Sequence, residues 1–387
     1  MATAAAAASR PVIAAAAPER VRDLRLDLFR GFGLLLIFID HVPDNPISNY
    51  TLLSIAFCDA TELFVFISGY TAALVFVGLA RRAGTPFATA QVLRRCWTLY
   101  VAHIFLFVIF TAQVAWAVER LANPMFAEEM NVTGFLREPH IAVLQALTLQ
   151  FQPTYLNILP LYILLMFGLA VSLAALRWWR PLVVLGAVGP YVVVQLTDLN
   201  LPTYPDGHWY FNPFAWQLLF NAGALLAALF EIDKRDWAPP PWLVPAAAFV
   251  VVFATVLRLA VNEGWLPGGA VEAIWQVADK TDMGPLRVLN FAALAIVAVA
   301  LVPRDAAWVH APWLRPVIVV GQNGLNVFCF GIFLTVIGHA LVVEINPGLA
   351  PQILVTIVGT VAQIAVAYYL EWIKGRGRAA AAGGGGG

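Results

Sequence analysis

The stretch Leu26-Asp27-Leu28-Phe29-Arg30-Gly31-Phe32-Gly33-Leu34-Leu35-Leu36-Ile37-Phe38-Ile39-Asp40-His41 decides how this chain is read. It is long and apolar enough to enter a membrane, yet it carries an arginine near one end and a histidine at the other. Ionisable side chains at such depth are costly, ~2.5–3.5 kcal/mol for Arg on insertion scales, so they point to function. From Arg30 to His41 is eleven helical steps, which return to within roughly 20° of the starting direction and rise about 16 Å. Both side chains therefore face one side of one helix, near its opposite ends. Such a pair suits one elongated ligand, or two partners entering from opposite faces of a membrane.

Working outward, the 387 residues are 61% apolar and 12% charged. A soluble domain carries about 25% charged residues, so most of this chain belongs in lipid. The fold expected is all-α, a polytopic membrane bundle of about ten transmembrane helices. The windows fall near 26–43, 59–80, 97–119, 156–176, 181–197, 213–231, 243–261, 286–303, 317–342 and 350–373. Residues 1–24 and 375–387 read as flexible tails around a membrane domain at 25–374. The Ala-rich start lacks a charged segment followed by a Leu-rich one, so a cleaved signal peptide is not expected. Net charge is zero, which argues against nucleic acid as a partner. Cys58, Cys96 and Cys329 have no metal-ligand or redox spacing, and no metal site is expected.

Basic residues orient the bundle. Arg10, Arg20, Arg22 and Arg25 precede the first window, Arg81, Arg82, Arg94 and Arg95 follow the second, and Lys374, Arg376 and Arg378 follow the last. With ten spans these all fall on one side, as do Arg177, Arg180, Lys234, Arg235, Arg304 and Arg315. The positive-inside rule then places both termini in the cytoplasm. The opposite connections carry Asp44, Asp59, Glu128, Glu129, Asp198, Asp206, Glu263, Asp279 and Glu344. The longest of them span roughly 120–155, 198–212 and 262–285, enough to roof a cavity. No internal repeat is visible, which weighs against a transporter.

Several polar residues remain to be explained. Asp27 and Arg30 can pair on one helix face, as a snorkelling helix end or as a site where Gly31 and Gly33 leave room for a phosphate or carboxylate on the guanidinium fork. His41 reads as an interfacial histidine or as a general base near neutral pH. Asp40, Asp44, Asp59 and Glu62 lie near its level, and Glu62 is the first choice to orient the ring because it sits within a span. Arg94, Arg95 and Tyr100 open the third window, as anchors or as a basic mouth for a polyanionic donor. Asn157, Tyr162, Asn212, Trp216, Gln217, Gln322 and Asn323 combine polar groups with helix interrupters; they read as interhelical glue or as substrate contacts. Trp209 and Tyr210 read as an aromatic belt or as a stacking platform for sugars.

Taken in order and spacing, these motifs resemble the acyltransferase-3 superfamily and, within it, the OpgC family of succinyltransferases that modify osmoregulated periplasmic glucans. The resemblance runs from about 22 to 373. It rests on Leu26-Asp27 with Arg30 and His41, on Glu62 with Ser68-Gly69-Tyr70, and on Arg94-Arg95 with Tyr100. It extends through Asp40-His41-Val42-Pro43, Asn157-Ile-Leu-Pro160-Leu-Tyr162, Asn212-Pro213-Phe-Ala-Trp216-Gln217 and Gly321-Gln322-Asn323. The superfamily usually has aspartate where this chain has Glu62. The resemblance implies a bacterial inner-membrane enzyme that uses acyl-CoA, succinyl-CoA or acetyl-CoA, as donor substrate and holds no tightly bound cofactor. The partners it implies are membrane lipid and a glucan or other oligosaccharide acceptor. His41 would be the base, Glu62 its support, and Arg30 a donor-handling residue. Asn212 or Gln217 would stabilise the oxyanion, and a covalent acyl-His41 intermediate is the alternative course. Transfer of another acyl group to a different surface saccharide or lipid fits the same motifs.

Overall fold

The computed structural model describes residues 23–383 except 236–238, 305 and 346–347. The expected basic tail residues Arg10, Arg20 and Arg22 lie outside these. Among the described residues, ten helical segments make up the bundle. They are α1 (Leu24–Asp40), α2 (Ala60–Ala83), α3 (Thr85–Leu121), α4 (Ile158–Trp178), α5 (Arg180–Thr197), α6 (Pro213–Leu226), α7 (Leu243–Asn262), α8 (Pro285–Leu301), the pair α9 (Arg315–Gln322) and α10 (Gly324–His339), and α11 (Leu349–Gly383). All but α1, α8 and α9 are long and apolar enough to cross a bilayer, α6 and α10 with the π-helical turns that continue them. Among the described residues there is no strand, only an isolated bridge between Pro202 and His208. Large apolar side chains such as Leu185, Leu196, Phe249 and Phe253 point outward all round, which lipid, not water, accommodates.

Local chemistry sets the helix ends. The Asp23 carboxylate accepts from Arg25 N–H to start α1, and Asp59 and Glu62 form a capping box on α2. Gly84, at φ +89°, turns the chain between α2 and α3. Helix α3 begins at Thr85, well before the expected 97, so Arg94 and Arg95 lie within it. Its exposed Trp97 and Trp116 stand nineteen residues apart, about 28 Å along the axis. That is close to the thickness of a hydrocarbon core and places an aromatic at each interface.

Two close crossings hold the centre. A Cβ on Gly31 of α1 would stand 1.9 Å from the Val317 carbonyl oxygen of α9, and one on Gly321 of α9 would stand 1.9 Å from that of Asp27. Gly69 of α2 and Gly223 of α6 repeat the arrangement against the Phe220 and Phe66 carbonyls, at 1.9 and 2.3 Å. Lipid gives no hydrophobic drive for helix association, so backbone approach at small residues supplies the contact. Gly31 is therefore a packing residue; the space expected beside Arg30 is filled by α9. Gly33 sits in ordinary contact with Ala60 and Leu63.

At the basic end, Asp233 pairs with Arg81, Arg180 and Arg235, and Arg304 and Lys234 pair with Glu231. The Arg180 hydrogen bond, with that of Arg81, holds the Asp233 carboxyl down at about 2 in spite of burial.

Candidate active site

A cavity of about 450 Å³ opens where α1 and α10 end and α4 begins. Its wall includes Asp40, His41, Asp44, Glu129, Tyr155 and His339. The α1 helix stops at His41, just before Pro43, which delivers the imidazole to the chamber. The His41 ring meets Tyr155 edge-on, with centroids 4.5 Å apart. Its Nδ1 is buried and has no hydrogen-bond partner. Burial first, and then the Glu129 carboxylate, push the Tyr155 phenol up to about 12, so it remains a neutral O–H donor. On another wall His339, 2% exposed, packs on Phe126 and stands with Nε2 3.2 Å from Glu129 Oε2. The Asp40 carboxylate accepts from Thr51 Oγ1 at 2.6 Å. Asn45, buried below, donates to the Ile39 carbonyl and to Thr356 Oγ1, fixing the turn after α1.

Arg30 lies toward the other end of α1. Its guanidinium stands 3.5 Å from Asp27 Oδ1 and donates to Thr71 Oγ1 at 3.0 Å and to the Gly321 carbonyl at 3.5 Å. That carbonyl belongs to the last turn of α9, where the ninth pass breaks, so Arg30 also caps a helix C-terminus. Gln322 joins it through Asp27, with Nε2 to Oδ2 at 3.4 Å. Asn323 sits in the break, donating to the Val319 and Ala367 carbonyls and accepting from Lys374 Nζ at 2.7 Å. The structure thus brings Arg30, Gln322 and Asn323 together at an interrupted helix, an arrangement that membrane proteins use where a helix lines a site.

Glu62 lies apart from the chamber and has no spare oxygen. One takes an N–H of Arg287, the other accepts the Asp59 backbone N–H at 2.8 Å. Asp59 in turn holds Lys280 at 2.6 Å. Two carboxylates and two cations form a buried neutral cluster, with Glu62 0% exposed and Arg287 6%. In place of the expected Glu62–His41 pairing, Glu62 is tied to Arg287.

The remaining expected contacts divide in the same way. Both amide hydrogens of Asn212 are committed, to the Leu199 carbonyl and to Asp282 Oδ1, each at 2.7 Å. Trp216 Nε1 donates to the Lys280 and Thr281 carbonyls, and Gln217 Nε2 to the Ala187 and Phe214 carbonyls. These three clamp α5, α6 and the segment before α8, and neither amide has a donor left for an oxyanion. Trp209 is buried, so it offers no stacking face, while Tyr210 remains half open. Tyr100 donates to the Leu147 carbonyl at 2.9 Å and stacks on Trp97. Arg94 and Arg95, exposed and half-buried, have no paired group among the described residues. Asn157 precedes α4 without capping it by its side chain, and Tyr162 meets Phe64 edge-on at 6.0 Å.

Sequence reasoning did not single out Tyr155, Glu129, His339, Arg287 or Lys280 for the site. The alternation of the windows held a signal for three of them. The ends of the first, third and ninth windows and the start of the fourth must share one face of the membrane, which groups His41, Glu129, Tyr155 and His339.

The fold and this chamber define a polytopic helical membrane protein, with a polar reaction-sized space at one end and an intramembrane arginine toward the other. A family model described as OpgC protein matches residues 22–375, nearly the whole length, and the chain belongs to the OpgC family. That family makes it a membrane acyltransferase whose relatives act on periplasmic glucans. Comparisons with curated proteins and with solved structures gave no match.

Proposed function

We propose that the protein transfers a succinyl group from succinyl-CoA, presented at the basic cytoplasmic face, to a hydroxyl of a glucan in the periplasm. The acceptor oxygen attacks the thioester carbonyl while His41 takes the hydroxyl proton. The carbon–oxygen bond forms, the carbon–sulfur bond breaks, and the departing thiolate recovers that proton as free coenzyme A. Tyr155 is a neutral O–H donor beside the reacting centre and is suited to the developing oxyanion. Arg30 handles the donor along α1. Both termini lie in the cytoplasm and the membrane is the bacterial inner membrane.

The observation that carries this reading is the position of His41. It forms part of the wall of a 450 Å³ chamber with an unpartnered buried ring nitrogen, on the same helix that holds Arg30. Mass spectrometry of periplasmic glucans from cells with and without the protein tests it. Glucans gaining one succinyl mass per modified hydroxyl support the reading; unchanged glucans overturn it. A reporter fused after Lys374 tests the topology, and its appearance outside the cytoplasm excludes the orientation.

A further inference from the structure

The chamber holds a second imidazole that the scheme above leaves unused. His339 comes from the end of α10, far in sequence from α1, and its ring is 2% exposed. Glu129, on the short helix Met125–Glu129, stands 3.2 Å from its Nε2. The contact lacks hydrogen-bond geometry, but the charge of a carboxylate at that distance favours the ring proton on Nε2, which leaves Nδ1 as a bare lone pair. That Nδ1 is buried without a partner, as is Nδ1 of His41. Both rings line the same cavity. An unmet acceptor beside a polar cavity is costly in the empty protein, and an O–H donor from a bound molecule answers it.

The remaining lining agrees with a neutral polyhydroxy occupant. It offers the carboxylates of Asp40 and Asp44 and the polar side chains of Ser48 and Asn49, and among the lining residues there is no lysine or arginine. Hydroxyls donate to such groups, whereas an anionic acceptor would be repelled.

We propose that His339, oriented by Glu129, positions the acceptor by accepting a hydrogen bond at Nδ1 from a hydroxyl other than the one that reacts, and so sets acceptor affinity while His41 sets turnover. This rests on the acyl-acceptor reading of the chamber. Two imidazoles then divide the work: one takes the proton, and the other fixes which hydroxyl is presented to it.

The side chains of asparagine and glutamine separate the two ring nitrogens. His339→Asn keeps a polar atom near the place of Nδ1; His339→Gln keeps one near Nε2 only. The protein in lipid nanodiscs is assayed with a glucose hexasaccharide and succinyl-CoA. His339→Gln should raise KM for the saccharide ~10-fold, the worth of one buried hydrogen bond, with kcat nearly unchanged. His339→Asn should recover most of that loss. Glu129→Ala, at a side chain 55% exposed and thus safe for folding, should raise KM in the same direction. Equal KM values for the Asn and Gln variants, or a loss confined to kcat, would overturn the assignment. If the wild-type protein transfers no acyl group, the catalytic reading fails by itself. Equilibrium binding of the hexasaccharide then decides the positioning role. A Kd about 10-fold weaker in His339→Gln than in wild type sustains it; an unchanged Kd, or no binding by the wild type, overturns it.

Discussion

Two buried groups of polar side chains differ in one physical respect. In the Glu62, Arg287, Asp59 and Lys280 cluster every charge is answered by an opposite charge or a backbone group. In the neighbouring chamber His41 and His339 each keep a buried ring nitrogen with nothing to bond. The cluster is complete within the protein, whereas the chamber leaves ring nitrogens without a partner, which fits the acceptor site proposed above. The lesson is that a buried ionisable residue in a membrane protein marks a function only when its valence is left open. Glu62 and His41 looked alike by depth, and their partners separate them.

The contrast can be broken most forcefully at Arg287. Arg287→Ala leaves Glu62 buried and uncompensated, which should cost ~3–5 kcal/mol and show as lost thermal stability in detergent. A variant that melts like wild type yet is inactive would move the cluster to the functional side. His41→Ala should do the reverse, lowering acyl transfer ~10²–10⁴-fold while its melting profile stays put. A fall below tenfold would return His41 to a structural role.

Smaller effects sharpen the picture. Arg30→Lys keeps the charge but loses the planar fork that reaches Thr71 and the Gly321 carbonyl, so donor KM should rise about 3- to 10-fold. Wild-type donor kinetics would dissolve the fork hypothesis. Gln217→Ala removes two donors already spent on backbone carbonyls. It should cost about 1 kcal/mol of stability and leave acceptor KM alone; a large KM change would return Gln217 to the binding site. The smallest effect is at Asp233, whose folded carboxyl lies below its ordinary 3.8, at about 2. A depressed carboxyl stabilises the fold above its unfolded value and loses that contribution as pH falls through the folded one. Between 3.8 and about 2, wild type should therefore lose melting temperature more steeply than Asp233→Asn. Parallel acid profiles would show that the Arg180 and Arg81 pairing adds no stability.

Much of the fold was legible in the sequence. Each of the ten apolar windows became helical, eight of them long and apolar enough to cross a membrane, and the paired arginines fall toward one end of the third as the local pattern suggested. The ninth window, 317–342, reads as one span although it holds Gln322 and Asn323 beside glycines, and the helix breaks at those polar residues. The role of Gly31 was also misleading: a missing side chain leaves space, and only the neighbouring helix decides whether a ligand or a backbone fills it.

What the sequence determined by itself was that this chain is a helical membrane protein with an arginine and a histidine on one face of its first helix. That follows because lipid forces each segment to satisfy its own backbone hydrogen bonds, so every span announces itself locally. What only the tertiary structure decided was which polar groups meet. Arg287 reaches Glu62 across 225 positions, and His339 faces Glu129 from the end of a helix nine passes into the bundle. Such pairings depend on how helices cross, and the crossings are set by backbone contact at Gly31 with Gly321 and Gly69 with Gly223. The distance between two side chains brought together this way is a property of the assembled bundle, and no local pattern in the chain encodes it.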